Sequence, residues 1–295
     1  MYGIRNPSIV LSGASNLASL AGQKVVVVGG TSGIGRSLAL LAAKNGAQVT
    51  VIGRTMRDQT GPNFAFVKAD LSSMKEARSV AQSLPKDLDL LAFTNGIVPG
   101  DKRAETKEGV EMDLAASALS RFVMLEEMLP TRSKAETRVF NWGFPGSKGT
   151  MAKTNLEDFN SEKSYKGGFE TAHMNTVALN EALVLHYAAQ GTNIYGCNPG
   201  LIKTGIRNSM HGGGLRGLLG SLMEAAVEVL NPSADEYAKI MLPVMLAPEL
   251  PHFRGAMFGQ KGAAILPSPE LSPEVVRRWL QAAEKLAAKA LASSK

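Results

Sequence analysis

The chain alternates short β-branched runs with longer stretches of helical spacing. Residues 24–28, KVVVV, form a continuous apolar run of the kind that is covered on both faces in a parallel sheet. The run stops at a glycine-rich turn, GGTSGIG, and RSLALLAAKNGAQ follows with Leu38, Leu41 and Ala42 at helical spacing and Gly46 as a stop. QVTVIG at 48–53 and FAFVKAD at 64–70 predict a second and a third strand, and residues 72–84 an amphipathic helix opened by a serine. LDLLAFTNG at 88–96 predicts a fourth strand, 106–129 a long helix, 137–142 a fifth strand, 169–189 a helix and NIYGCNPG a sixth strand. Residues 205–232, rich in Gly, Met and Leu, suit a flap; GAMFG at 255–259 suits a last strand, and residues from about 272 to 292 a C-terminal helix.

Strands that end in Gly or Pro-Gly and alternate with helices imply parallel βαβ units. The expected fold class is therefore α/β, a single doubly wound parallel sheet with helices on both faces. No internal repeat or linker divides it, so the expected organisation is an N-terminal extension, 1–22, followed by one domain, 23–295. Residues 1–22 are too rich in Gly and Ser to pack as a regular element.

The turn after the first strand is where candidate chemistry begins. Gly29, Gly33 and Gly35 are spaced G-x-x-x-G-x-G, which lets the backbone approach a pyrophosphate lying at a helix N-terminus. Charge strengthens that reading. The chain is +6, and six basic residues (Arg5, Lys24, Arg36, Lys44, Arg54 and Arg57) precede its first carboxylate, Asp58. The remainder is balanced, so a phosphate-bearing small molecule explains the asymmetry better than nucleic acid. The second strand ends Ile52-Gly53-Arg54-Thr55, without the acid that takes ribose hydroxyls in NAD sites. Arg54 is placed to meet a 2′-phosphate with its fork of donors, which favours NADP(H).

Other chemistry is narrowed by what the composition lacks. No apolar run approaches the ~20 residues of a membrane span, and residues 1–22 lack a signal-peptide core, although organelle targeting by that segment stays open. Cys197 is the one cysteine, which excludes an intrachain disulfide and suits a reducing, cytoplasmic setting. There is no zinc-ligand cluster, so no metal is expected.

These landmarks together resemble the short-chain dehydrogenase/reductase family over roughly residues 22–260. The matching segments are the glycine turn of 29–35, Asp70-Leu71, Thr94-Asn95-Gly96, and Asn198-Pro199-Gly200 with Thr204. The resemblance implies a Rossmann fold and a cofactor site drawn from Gly29, Thr31, Ser32, Gly33, Ile34 and Gly35. It adds Asp70 and Leu71 at the adenine, Asn95 and Gly96 at its ribose, and Pro199, Gly200, Ile202 and Thr204 at the carboxamide. ETKEGVEMDLAASALSRFVMLEE and NSEKSYKGGF look like the retinol-dehydrogenase-like branch, whose substrates are apolar alcohols and carbonyls. Relatives pair through the two long helices, so monomer and homodimer both stay open.

The resemblance stops at the catalytic residues. Such enzymes use a tyrosine acid, a lysine four residues on, a serine and an asparagine. No Tyr-x-x-x-Lys occurs here: Tyr2, Tyr165, Tyr187, Tyr195 and Tyr237 are followed at that spacing by Asn6, Phe169, Gly191, Pro199 and Met241. One register places Phe169 and His173 at the tyrosine and lysine, with Leu179 and Leu183 buried; another places Thr171 and Asn175 there. Gly143 falls near the serine and Ser117 at the asparagine.

Three readings follow. A reductase would draw its proton from His173, an imidazole titrating near neutrality, or from Tyr165. A binding module would keep NADP(H) without turnover. A non-redox enzyme would shape an apolar substrate, with Trp142, Phe144, Met210, His211 and Leu215 as candidate lining residues.

Overall fold

The computed structural model describes residues 3–12, 20–56, 58, 61–132, 136–147, 149–202 and 231–293. Strands β1 (Lys24–Val28), β2 (Gln48–Gly53), β3 (Phe64–Lys68), β4 (Leu90–Phe93), β5 (Arg138–Trp142), β6 (Ile194–Cys197), β7 (Met257–Phe258) and β8 (Ala264–Ile265) form one sheet. Its order is β3-β2-β1-β4-β5-β6-β7-β8. Every neighbouring pair is parallel except β7 and β8. The order reverses direction beside β1, so the connections leaving the C-terminal ends of β1 and β4 run to opposite sides, and ligands bind at such a point in open α/β sheets.

The valine run explains the layering. Successive side chains of a strand point to opposite faces. Val26 and Val28 join one apolar layer, under α2 (Met74–Ser83), α3 (residues 112–128), α4 (Thr171–Ala189) and α6 (Pro273–Ala292). Val25 and Val27 join the other, under α1 (Gly33–Lys44) and α5 (Ala234–Met245). Helix α6 lies over α4 with Trp279 buried and edge-on to Phe159, ring centroids 5.7 Å apart. Among the described residues, no helix is long and apolar enough to cross a membrane.

Two expectations need correction, the start of the third helix and the last strand, and two features go beyond them. The helix expected from 106 begins at Met112, because Glu105 and Glu111 pair across a turn whose Gly109 has φ +79°. Helix α5 was not foreseen, although Ser233 and Glu236 close a reciprocal capping box at its start. The sheet continues past residue 259 into β8, where Phe258 pairs with Ala264. The extension is not wholly outside the fold: Asn6 N–H donates to Ala264 O and Leu266 N–H to Ile4 O, so residues 4–6 line up along the outer edge of the sheet. The flap expectation falls almost entirely on residues 203–230, outside the described residues.

Candidate active site

At the C-terminal end of β1 the glycines leave no room for side chains. Gly29 has φ +82°, and a Cβ there would strike the backbone of Asn95. A Cβ on Gly35 would strike Thr94 Oγ1 and lie 2.6 Å from Gly29 O. Gly33, φ +52°, is the first residue of α1. Ser32 precedes it in an extended conformation without a side-chain cap, and the first turn carries no acid. Helix α1 therefore presents uncapped N–H donors and the positive end of its dipole to this cradle.

Beyond β2, Arg54 is exposed, and Thr31 packs against Gly53 just before it. Asp58 is held by Arg36, whose Nε donates at 2.8 Å to Oδ2, so this acid is already engaged. Asp70 is exposed and accepts from Ser72, whereas Leu71 is buried in the apolar layer. Asn95 Nδ2 donates to Ala116 O at 2.6 Å, while its Oδ1 is buried with no partner. The cradle and this orphaned acceptor fit a dinucleotide running over β1 toward β4.

A cavity of about 430 Å³ opens beside Asn95 and Gly96. Ile34, Pro199, Gly200 and Ile202 line it, as do Trp142, Phe144, Phe169 and His173. Thr204, Met210, His211 and Leu215 lie outside the described residues. Tyr165 does not line the cavity. Its hydroxyl donates to Gly100 O at 2.8 Å, and burial together with Glu111, Asp113 and Asp101 pushes its pKa up to about 12. The structure thus uses Tyr165 to tie two loops together. Of the two registers, the Phe169–His173 pair lines the cavity. Thr171 does not, and Asn175 turns away to bond Asn155 and Phe159 O.

His173 is 6% exposed, with Phe169 edge-on to its ring. Its Nδ1 lies 2.8 Å from Oδ2 of Asp113, which is fully buried. Asp113 Oδ1 accepts from Ser117 Oγ at 2.6 Å, and that oxygen in turn accepts from Ile97 N–H. A carboxylate on Nδ1 fixes the tautomer and orientation of an imidazole. Ser117 sits in a π turn, Ala115–Leu119, within α3. Such turns re-aim side chains and recur at functional sites.

One turn further along α3 is Arg121, 2% exposed. Its Nη1 is within 2.9 Å of Asn141 Oδ1, Trp142 O and Asn180 Oδ1, and its Nη2 donates to Asn95 O. Nε is buried without a partner. No carboxylate among the described residues bonds this guanidinium directly, and burial lowers its pKa to about 9 against the attraction of Asp113. Asp113, Ser117 and Arg121 make a polar stripe at i, i+4 and i+8 that faces His173 and Asn180 of α4. Sequence reasoning singled out only Ser117 of that stripe.

Asn180 also explains Gly143. A Cβ there would lie 2.5 Å from Asn180 Cβ, so the amide fills the place a serine would take. Gly143→Ser is expected to overpack the floor and cost about 1–3 kcal/mol, without adding turnover. Thermal unfolding and steady-state kinetics check this.

Glu111 caps the start of α3, accepting from Leu114 N–H at 2.8 Å. Burial lifts its pKa from 4.5 to about 6, with Asp113 contributing. The folded state therefore holds this proton longer than the unfolded chain. Stability falls as pH rises through the window between those values, by about 2 kcal/mol in all. Glu111→Gln is expected to melt above the wild type at pH 8, as read by calorimetry. The gap should close as pH drops toward 4.5.

Comparison with known proteins agrees with this geometry. The profile described as short chain dehydrogenase matches residues 23–141. A Saccharomyces cerevisiae protein described as an uncharacterized oxidoreductase is 39% identical over 279 residues, covering 90% of this chain and 88% of its own. Mouse retinol dehydrogenase 13 is 27% identical over 289 residues, covering 90% and 84%. Among solved structures, levodione reductase superposes with a TM-score of 0.60 at 16% identity, covering 82% of this chain and 97% of its own. A cradle of glycines at the end of β1, a parallel sheet around it, and relatives over nine-tenths of its length lead to one assignment: the chain belongs to the short-chain dehydrogenase/reductase family.

Proposed function

We propose that the protein is an NADP(H)-dependent oxidoreductase of apolar carbonyls and alcohols in which the His173–Asp113 pair does the proton work of the missing tyrosine and lysine. The observation that carries this reading is the buried 2.8 Å contact between His173 Nδ1 and Asp113 at the cavity wall. NADPH, when bound, supplies the hydride. The glycines of 29–35 and the start of α1 would hold its pyrophosphate, Asn95 and Gly96 the ribose, and Pro199 to Ile202 the carboxamide.

In the reducing direction His173 gives the proton on Nε2 to the substrate oxygen. It retains the Nδ1 proton, which Asp113 holds. Ser117, bonded to Asp113 Oδ1, keeps the carboxylate from rotating away. Trp142, Phe144, Phe169 and Val177 supply apolar walls that exclude water from the reacting carbon. Mouse retinol dehydrogenase 13, with its name's apolar alcohol, supports the same substrate class.

Arg54 at the end of β2, with Asp58 already engaged by Arg36, supports NADP(H) over NAD(H). Arg54→Ala is expected to weaken NADPH by ~10–100-fold, the worth of a charge-assisted bond, and NADH by less than threefold on the order of a few tenths of a kcal/mol. Parallel calorimetric titrations of the two cofactors test it. Equal losses for both would remove the NADP(H) assignment.

A further inference from the structure

The cavity's described lining residues include Arg121, Lys153 and His173 and not one Asp or Glu, the nearest carboxylates being Asp113 behind His173 and Glu170 beside Lys153. Arg121 is a buried cation held by amide and carbonyl oxygens alone. Asp113 attracts this cation from earlier in α3 but is already bonded to His173 and Ser117, so an anion entering the cavity would stabilise the buried guanidinium further.

Lys153 is the group able to meet such an anion directly. It ends a short turn, Met151–Lys153, at the cavity wall and is half-exposed. Its Nζ lies 2.9 Å from Glu170 Oε1, and the two side chains are 49% and 52% exposed. Glu170 occupies the N-cap position of α4 but does not cap the helix with its side chain. An exposed pair of this kind is worth only ~0–1 kcal/mol, so exchanging Glu170 for another carboxylate costs little. The same cavity wall carries Phe169, Met174 and Val177, and Phe169 is 38% exposed. That wall suits a hydrocarbon chain, and the lysine suits a charged end.

We infer that the substrate is an amphiphile: an apolar chain whose carbonyl or alcohol lies at His173 and whose other end is a carboxylate held by Lys153, in exchange for Glu170. This rests on the proposed carbonyl chemistry for the reacting end, but the carboxylate site stands on binding alone. Arg121 adds positive potential from the floor, and Lys153 is the residue that determines specificity.

The test is calorimetric titration of the full-length protein, with and without NADPH, using decanoate and the neutral 1-decanol. Decanoate should bind at least ~10-fold more tightly. Lys153→Met should level the two ligands while leaving decanol unchanged, and Glu170→Gln should tighten decanoate alone. High salt should weaken decanoate and spare decanol. Equal affinities in the wild type, no binding of either ligand, or a carboxylate preference that survives Lys153→Met would each overturn the inference. If Lys153→Met does not fold, Glu170→Gln decides: no gain for decanoate overturns it. A protein that shows the preference but never consumes NADPH keeps this site and loses the redox reading.

Discussion

Gly33→Asp is expected to abolish NADPH binding, lowering affinity by more than ~100-fold, while the protein remains folded. Two effects combine. Gly33 has φ +52°, a left-handed conformation that costs an L-residue ~1–2 kcal/mol. The larger effect is electrostatic. The new carboxylate would sit on the first residue of α1, where uncapped N–H groups and the helix dipole attract a pyrophosphate. It would satisfy those donors internally and repel the ligand. Gly33→Ala carries the strain without the charge and should lose ~10-fold or less. Calorimetric titration of both variants, with thermal unfolding to confirm folding, separates the two contributions.

His173→Gln is expected to lower kcat by ~10²–10⁴, the usual contribution of a positioned general acid, with NADPH affinity unchanged. Glutamine keeps a donor and much of the volume, so packing against Phe169 is largely preserved while the titrating group is lost. The split between kcat and cofactor binding distinguishes proton transfer from architecture. Asp113→Asn should also reduce kcat, because the amide no longer fixes the imidazole's tautomer and orientation. A loss of kcat matched by an equal loss of NADPH affinity or of thermal stability would assign His173 a structural role.

Much of the scaffold was legible because it rests on local patterns. The run KVVVV had to be covered on both faces, and Gly46 stops α1 as its position suggests. Helix α5 was hidden by Pro243, which interrupts its apolar spacing, although the Ser233–Glu236 box was readable. The two-residue β8 was too short to show periodicity. Where the candidate site is concerned, the glycine turn and the absence of Tyr-x-x-x-Lys were visible directly. The Asp113–His173 contact was not, because 60 residues separate its partners and only the packing of α3 on α4 brings them together. The stripe Asp113, Ser117, Arg121 was a readable anomaly, three polar residues on one face of an apolar helix. Its meaning depends on Asn141 and Asn180, which no local pattern connects to Arg121.

The proposed function requires hydride chemistry on a scaffold whose sequence holds no Tyr-x-x-x-Lys. The direct measurement is nicotinamide absorbance over time with purified protein, saturating NADPH and a panel of apolar aldehydes and ketones that includes carboxylate-ended members. Substrate-dependent loss of NADPH, with one alcohol formed per cofactor oxidised, is the predicted result. Tight NADPH binding with no absorbance change across the panel, beyond protein-free controls, would contradict it.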